Sequence, residues 1–242
     1  MAELEASYVG CGCGHHTAEP TAPQAEKCNC QGLMRYRKAH SLAGALFGLF
    51  AVVHLAISST GLFPEKFDQN AQALHTLASN IPGSDLLVTG VPLLVIVPCG
   101  LYLLWRAGLK YNVKKCKRGG KLRFFLQRIS ALALMVFLAV HLASFGPLAI
   151  SRSYNPANPY RSTVAGIHGS SGVATVILGT LYLAGIVAVA FHLANGLWTS
   201  AIAWKLADDP ATKANLDKLA LAIGLLIAGI GLLAWIAFVL PG

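Results

Sequence analysis

Five stretches of this chain, residues 41–61, 86–105, 129–150, 169–204 and 219–240, contain no charged side chain and run for about 20 residues or more. An α-helix rises about 1.5 Å per residue, so about 20 apolar residues span the ~30 Å hydrocarbon core of a bilayer. Inside lipid every backbone N–H and C=O must be paired, and a helix does this within one segment. The chain therefore reads as an all-α, polytopic membrane protein: a bundle of five transmembrane helices within residues 35–242, preceded by a polar tail over residues 1–34. Composition agrees, with 55% hydrophobic and only 12% charged residues, outside the range of soluble domains. The fourth run is too long for one upright crossing and must tilt or project beyond the bilayer.

Five crossings separate the two ends of the bundle, and the basic residues say which face is which. Arg35, Arg37 and Lys38 precede the first span. Arg106, Lys110, Lys114, Lys115, Lys117, Arg118, Lys121 and Arg123 lie between the second and third, and Lys205, Lys213 and Lys218 between the fourth and fifth. The opposite loops carry only Lys66 in one case and Arg152 and Arg161 in the other. The positive-inside rule predicts a multi-pass protein of the cytoplasmic (inner) membrane with its N-terminus in the cytoplasm. This asymmetry accounts for most of the formal charge of +9, so lipid is the expected partner and nucleic acid is not. The first 39 residues lack the apolar core of a secretory signal, which leaves the first span as the targeting signal. No internal repeat suggests a transporter built from inverted halves.

Within these apolar runs sit His54, His141 and His192, each followed by leucine. An ionisable side chain in hydrocarbon is costly and usually has a partner, and neutral imidazole is a common axial ligand of haem iron. Counting along the helices puts His54 and His141 at similar depth, roughly 10 to 14 Å inside the outer boundary. Either they share a bis-histidine haem, or each hydrogen-bonds within the bundle. His192 falls in the inner half, facing a second span that has no histidine. Cys99 is the soft ligand that span offers; its alternative reading is a small apolar side chain. His40 counts to the inner boundary, roughly 10 Å or more in depth from His192, which is too far to share one iron. It reads either as an interfacial histidine among Arg35, Arg37 and Lys38 or as a neighbour of a quinone or haem propionate. His75 and His168 are expected to be solvated beyond the outer boundary. Gly44, Gly48, Gly100, Gly172, Gly179, Gly185 and Gly196 permit close helix packing, or admit a flat macrocycle.

The order of these features resembles the single-subunit, five-helix, dihaem cytochrome b membrane anchor of succinate dehydrogenase and fumarate reductase. The matching pieces are Arg37-Lys38-Ala39-His40-Ser41-Leu42-Ala43-Gly44, Val53-His54-Leu55, Leu126-Gln127-Arg128-Ile129, His141, and Phe191-His192-Leu193-Ala194-Asn195-Gly196-Leu197-Trp198. The resemblance implies that His54, His141 and His192 occupy three of four haem-ligand positions, and that Ile96 stands at the fourth. The inner haem is then absent, or bound through His192 with Cys99 or a weak ligand, or replaced by another cofactor. It also implies that a flavoprotein subunit and an iron-sulfur subunit dock on the cytoplasmic face, and that the chain exchanges electrons with membrane quinone through haem b. The basic residues from Arg106 to Arg123 suit such docking, since complementary charge orients partners. Under this reading the chain is a non-catalytic subunit with no dicarboxylate site.

The tail carries Cys11, Cys13, Cys28 and Cys30, with His15 and His16 between them. In a reducing compartment disulfides are disfavoured, so the cysteines either hold zinc or an iron-sulfur centre or remain reduced. A rival class for the whole chain is a transporter or channel that uses intramembrane histidines for ions without haem.

Overall fold

The computed structural model describes residues 30–84, 86–107, 120–145, 154–169 and 171–240. They form helices α1 (Cys30–Ser59), α2 (Pro64–Asn80), α3 (Val91–Ala107), α4 (Gly120–Phe145), α5 (Pro159–His168), α6 (Gly172–Ala203) and α7 (Pro210–Val239). No strand occurs among the described residues. Short helical turns at Thr60–Leu62 and Leu86–Gly90 lead out of α1 and into α3. Five helices, α1, α3 together with the turn at Leu86–Gly90, α4, α6 and α7, are long and apolar enough to cross a membrane. Each overlaps one expected span, and α6 is one continuous helix.

The boundaries differ from the charge-free runs in a systematic way. α1 begins before Arg35, Arg37 and Lys38, α4 carries Arg123 and Arg128, and α7 carries Lys213, Asp217 and Lys218 before its apolar part. Long basic side chains keep their heads in water while their stems lie along the helix, so helices continue through residues that a count of uncharged positions excludes. In the other direction, α4 ends at Phe145, short of residue 150. Asp209 caps α7 by accepting the Thr212 N–H at 2.9 Å, and Pro210 takes the first helical position, where its missing N–H costs nothing.

All five spanning helices share two ends. At the basic end Tyr36 packs on Tyr102 with ring centroids 4.4 Å apart, joining the start of α1 to the end of α3. Trp204, at the end of α6, donates its indole N–H to the Ser41 hydroxyl at 2.7 Å, and Lys38 lies over the same ring at 4.9 Å. α1 thus sits centrally against α3, α6 and α7, while α4 packs on α6. Without a hydrophobic drive between helices in lipid, close approach depends on small residues. A Cβ on Gly185 would lie 2.5 Å from the Phe137 ring, one on Gly231 2.6 Å from Ile186, and one on Gly48 3.2 Å from Leu193.

At the far end, where the charge pattern alone predicts loops, α2 and α5 pack on each other and on the spanning helices. Each opens with proline, at Pro64 and Pro159, and α5 stops at Gly169, whose φ of +58° is easily adopted only without a side chain. Asp68 ties them by accepting the Tyr160 N–H at 2.7 Å. Phe67, Ile167, Ala237 and Phe238 form a buried cluster beneath, flanked by Phe145 and Tyr160. His75 is exposed, as expected. His168 is not the solvated histidine expected: it is half-buried, with Nε2 3.2 Å from the Phe238 carbonyl at the end of α7.

Candidate functional site

α1 and α4 run the same way through the bundle and bring two of the expected histidines together. The ring centroids of His54 and His141 lie 5.8 Å apart, with 77° between the ring planes. An imidazole ligand holds its metal about 2 Å from nitrogen, and the ring centroid lies about 1 Å behind that nitrogen, so two rings sharing one metal stand roughly 6 Å apart. The observed separation fits a bis-histidine haem site. His141 Nδ1 is 3.1 Å from the Tyr182 hydroxyl on α6. In the tautomer that donates Nδ1–H to that oxygen, Nε2 keeps its lone pair for a metal, the usual arrangement of a ligating histidine. Phe50 stacks on His54 at 5.8 Å and Phe137 on His141 at 5.5 Å, so aromatic faces fix both rings.

His192, on α6, belongs to a different set of contacts toward the basic end. Its Nδ1 is 3.1 Å from the Ser130 hydroxyl, which donates to the Gln127 carbonyl at 3.0 Å. With its proton used there, the Ser130 oxygen accepts Nδ1–H from His192, and Nε2 again carries the lone pair. Gln127 donates to the His192 carbonyl at 3.2 Å, and its amide nitrogen is 3.4 Å from Nε2. Asn195 donates to Gln127 Oε1 at 2.6 Å, Arg123 donates to Asn195 Oδ1, and Arg123 also pairs with Asp217. The Arg123 guanidinium lies 4.2 Å from the Trp198 ring centroid. A hydrogen-bonded line therefore runs from half-exposed Asp217 through Arg123, Asn195 and Gln127 to His192 and Ser130. Its members come from α4, α6 and α7. Gln127, Asn195 and His192 lie within the motifs quoted from the sequence, but their meeting depends on how the helices pack, which spacing along one helix does not reveal.

The structure gives His40 a partner that counting along the helix does not reveal: its Nδ1 donates to the Ile96 carbonyl on α3 at 3.1 Å, in the turn that holds Pro98. Its Cε1 lies 3.2 Å from where a Gly100 Cβ would be. Cys99 is a free, half-buried thiol on α3. Among the described residues no group of three or more His, Cys, Asp or Glu side chains is arranged to hold a metal ion. Cys11, Cys13 and Cys28 lie outside the described residues; of Cys30 the backbone is described, as the first residue of α1.

No family model matches the chain. Over 206 residues it is 25% identical to the succinate dehydrogenase cytochrome b558 subunit of Bacillus subtilis (strain 168), an alignment that covers 84% of this chain and 96% of that protein. A chain of five helices able to cross a membrane, with two histidines facing each other inside it, is thus similar over most of its length to a cytochrome b subunit of succinate dehydrogenase.

Proposed function

We propose that the chain is the membrane anchor and electron-transfer subunit of a succinate:quinone or fumarate oxidoreductase, passing electrons between a docked iron-sulfur subunit and membrane quinone through b-type haem. The observation that carries this is the His54–His141 pair, at the separation two imidazoles adopt around one metal and each held by an aromatic neighbour. The similarity to a cytochrome b558 subunit supports the same reading. When bound there, haem supplies one-electron storage and transfer. The protein's part is to present two neutral ring nitrogens, support the His141 ring through Tyr182, and keep both rings out of water.

At the basic end, exposed Arg35, Lys38, Arg106, Lys205 and Lys218 suit a face that orients the iron-sulfur and flavoprotein subunits. That face is the cytoplasmic one if the charge asymmetry sets the topology. The line from Asp217 to His192 offers polar side chains for a quinone head group. Cys99 remains a candidate ligand on α3. Cys11, Cys13, Cys28 and Cys30 remain candidate ligands for zinc or an iron-sulfur centre in the tail.

Reduced-minus-oxidised spectra of the purified chain test this reading. We expect the absorption bands of b-type haem, with the contribution of the His54–His141 haem lost in a His54→Ala, His141→Ala double variant and a shift on addition of a quinone analogue. A correctly folded chain with no haem absorption would overturn the proposal and leave a histidine-dependent transporter or channel as the reading to pursue.

A further inference from the structure

We infer that the chain holds one haem, between His54 and His141, and that the level of His192, where the resemblance to dihaem anchors implies a second, is closed by the amide of Gln127. The inference rests on the haem reading above and decides among the alternatives left open by the histidine that α3 lacks.

The direction of each hydrogen bond in the line from Arg123 leads to this. A guanidinium can only donate, so the Asn195 atom that meets Arg123 is its oxygen, Oδ1. The other end of that amide, Nδ2, donates at 2.6 Å, and the Gln127 atom that receives it is Oε1. Gln127 is thereby oriented with Nε2 toward His192, where its two protons serve the backbone carbonyl at 3.2 Å and the ring Nε2 at 3.4 Å. The ring can accept there only when its own proton sits on Nδ1. Nδ1 meets the Ser130 oxygen, whose proton goes to the Gln127 carbonyl, so donors and acceptors agree from Arg123 to Ser130. The His192 lone pair that an iron would need is therefore engaged within the protein. At His141 the Tyr182 hydroxyl meets Nδ1 instead, which leaves Nε2 to a metal.

The surroundings do not favour opening the site. Freeing His192 Nε2 requires Gln127 to turn away, and Asn195, only 2% exposed, then loses its acceptor. α3 supplies no ligand in return. Ile96 has a hydrocarbon side chain, and its carbonyl already accepts from His40 at 3.1 Å. Cys99 would bind iron as thiolate, the form that apolar burial disfavours. A Cβ on Gly196, one turn from His192, would meet the same Gln127 amide, at 3.8 Å, so that amide also borders the space beside the ring.

The test is haem stoichiometry on the full chain, purified in detergent with the subunits that accompany it, saturated with haem and freed of the excess. We expect one haem per chain, a single one-electron wave in a redox titration of the haem absorption, and loss of that haem in His54→Ala. His192→Ala should keep the haem with an unchanged spectrum, which also reports that the variant has folded. Should that variant not fold, the count and the redox wave of the unmodified chain still decide. Two haems per chain, two redox waves, or a single haem kept in His54→Ala but lost in a folded His192→Ala would each overturn the inference while leaving haem as the cofactor. Absence of all haem would instead sink the functional reading on which it rests.

Discussion

The Tyr182 hydroxyl on α6 lies 3.1 Å from Nδ1 of His141 on α4, so a phenol from one helix supports the ring of a histidine on another. Removing it leaves the ring in place without its acceptor. We expect Tyr182→Phe to retain the outer haem but bind it about 10- to 100-fold more weakly, the usual cost of losing such a supporting contact. A less basic imidazole stabilises ferric iron less, so the midpoint potential should rise. Haem titration and a redox titration check the two effects separately.

His54 and His141 should behave as one unit. His54→Ala and His141→Ala are each expected to remove the same haem, with identical losses in the difference spectrum, because either change leaves a single axial nitrogen. Loss of spectroscopically distinct haems from the two variants would show that the rings are not partners.

Gly185 controls the position of Phe137, and through it His141. A side chain there would begin 2.5 Å from the Phe137 ring, which stacks on His141 at 5.5 Å. Gly185→Val should therefore destabilise the bundle by about 1–3 kcal/mol and weaken the outer haem, whereas the same change at Gly44, where an added Cβ meets nothing within 4 Å, should not disturb that haem. Thermal unfolding in detergent with haem absorption as the signal distinguishes the two.

Gln127 links a buried asparagine to His192. Gln127→Leu leaves the Asn195 amide, in a residue only 2% exposed, without its acceptor, at a cost of about 1–3 kcal/mol. Asp217→Asn breaks an ion pair whose aspartate is 54% exposed and should change stability by less than about 1 kcal/mol. Comparing unfolding midpoints of the two variants at equal detergent checks the contrast.

Asp209 gives a pH signature. Hydrogen bonds from Thr212 hold its carboxyl below the usual aspartate range. A lowered folded-state value means that the cap's contribution is complete above the ordinary aspartate range and is lost as pH falls through the lower value. Amide exchange at Thr212, corrected for intrinsic rates, should lose protection in acid, while Asp209→Asn, which caps without titrating, should show no such step.

Much of the architecture was legible because lipid simplifies the code: with water excluded, uncharged length alone marks a span. That gave all five crossings and the matched depth of His54 and His141. The same criterion hid the charged first turns of α4 and α7, since a basic residue at a helix end costs little when its head reaches water. It also hid α2 and α5, whose signal lay in Pro64 and Pro159 at first helical positions rather than in apolar length. The contacts of His40 were beyond counting for another reason. Depth along a helix axis fixes neither tilt nor side-chain direction, and both decide that His40 reaches the Ile96 carbonyl. The line from Asp217 to Ser130 likewise required three helices to be placed before its members became neighbours.

The two ends of this bundle differ in wetness. Toward the basic end a string of donors and acceptors connects Asp217, at the surface, with a ring in the interior. Toward the far end Phe67, Tyr160 and Phe238 meet edge to face and tilted where α2 and α5 pack on the spanning helices, and His168 is occupied by the end of α7. The first offers both donors and acceptors to a polar group, whereas the second, among the described residues, offers mostly the edges and faces of rings. A polar group drawn into the bundle therefore meets partners from one side and aromatic carbon from the other, so the interior is approached unequally from its two ends.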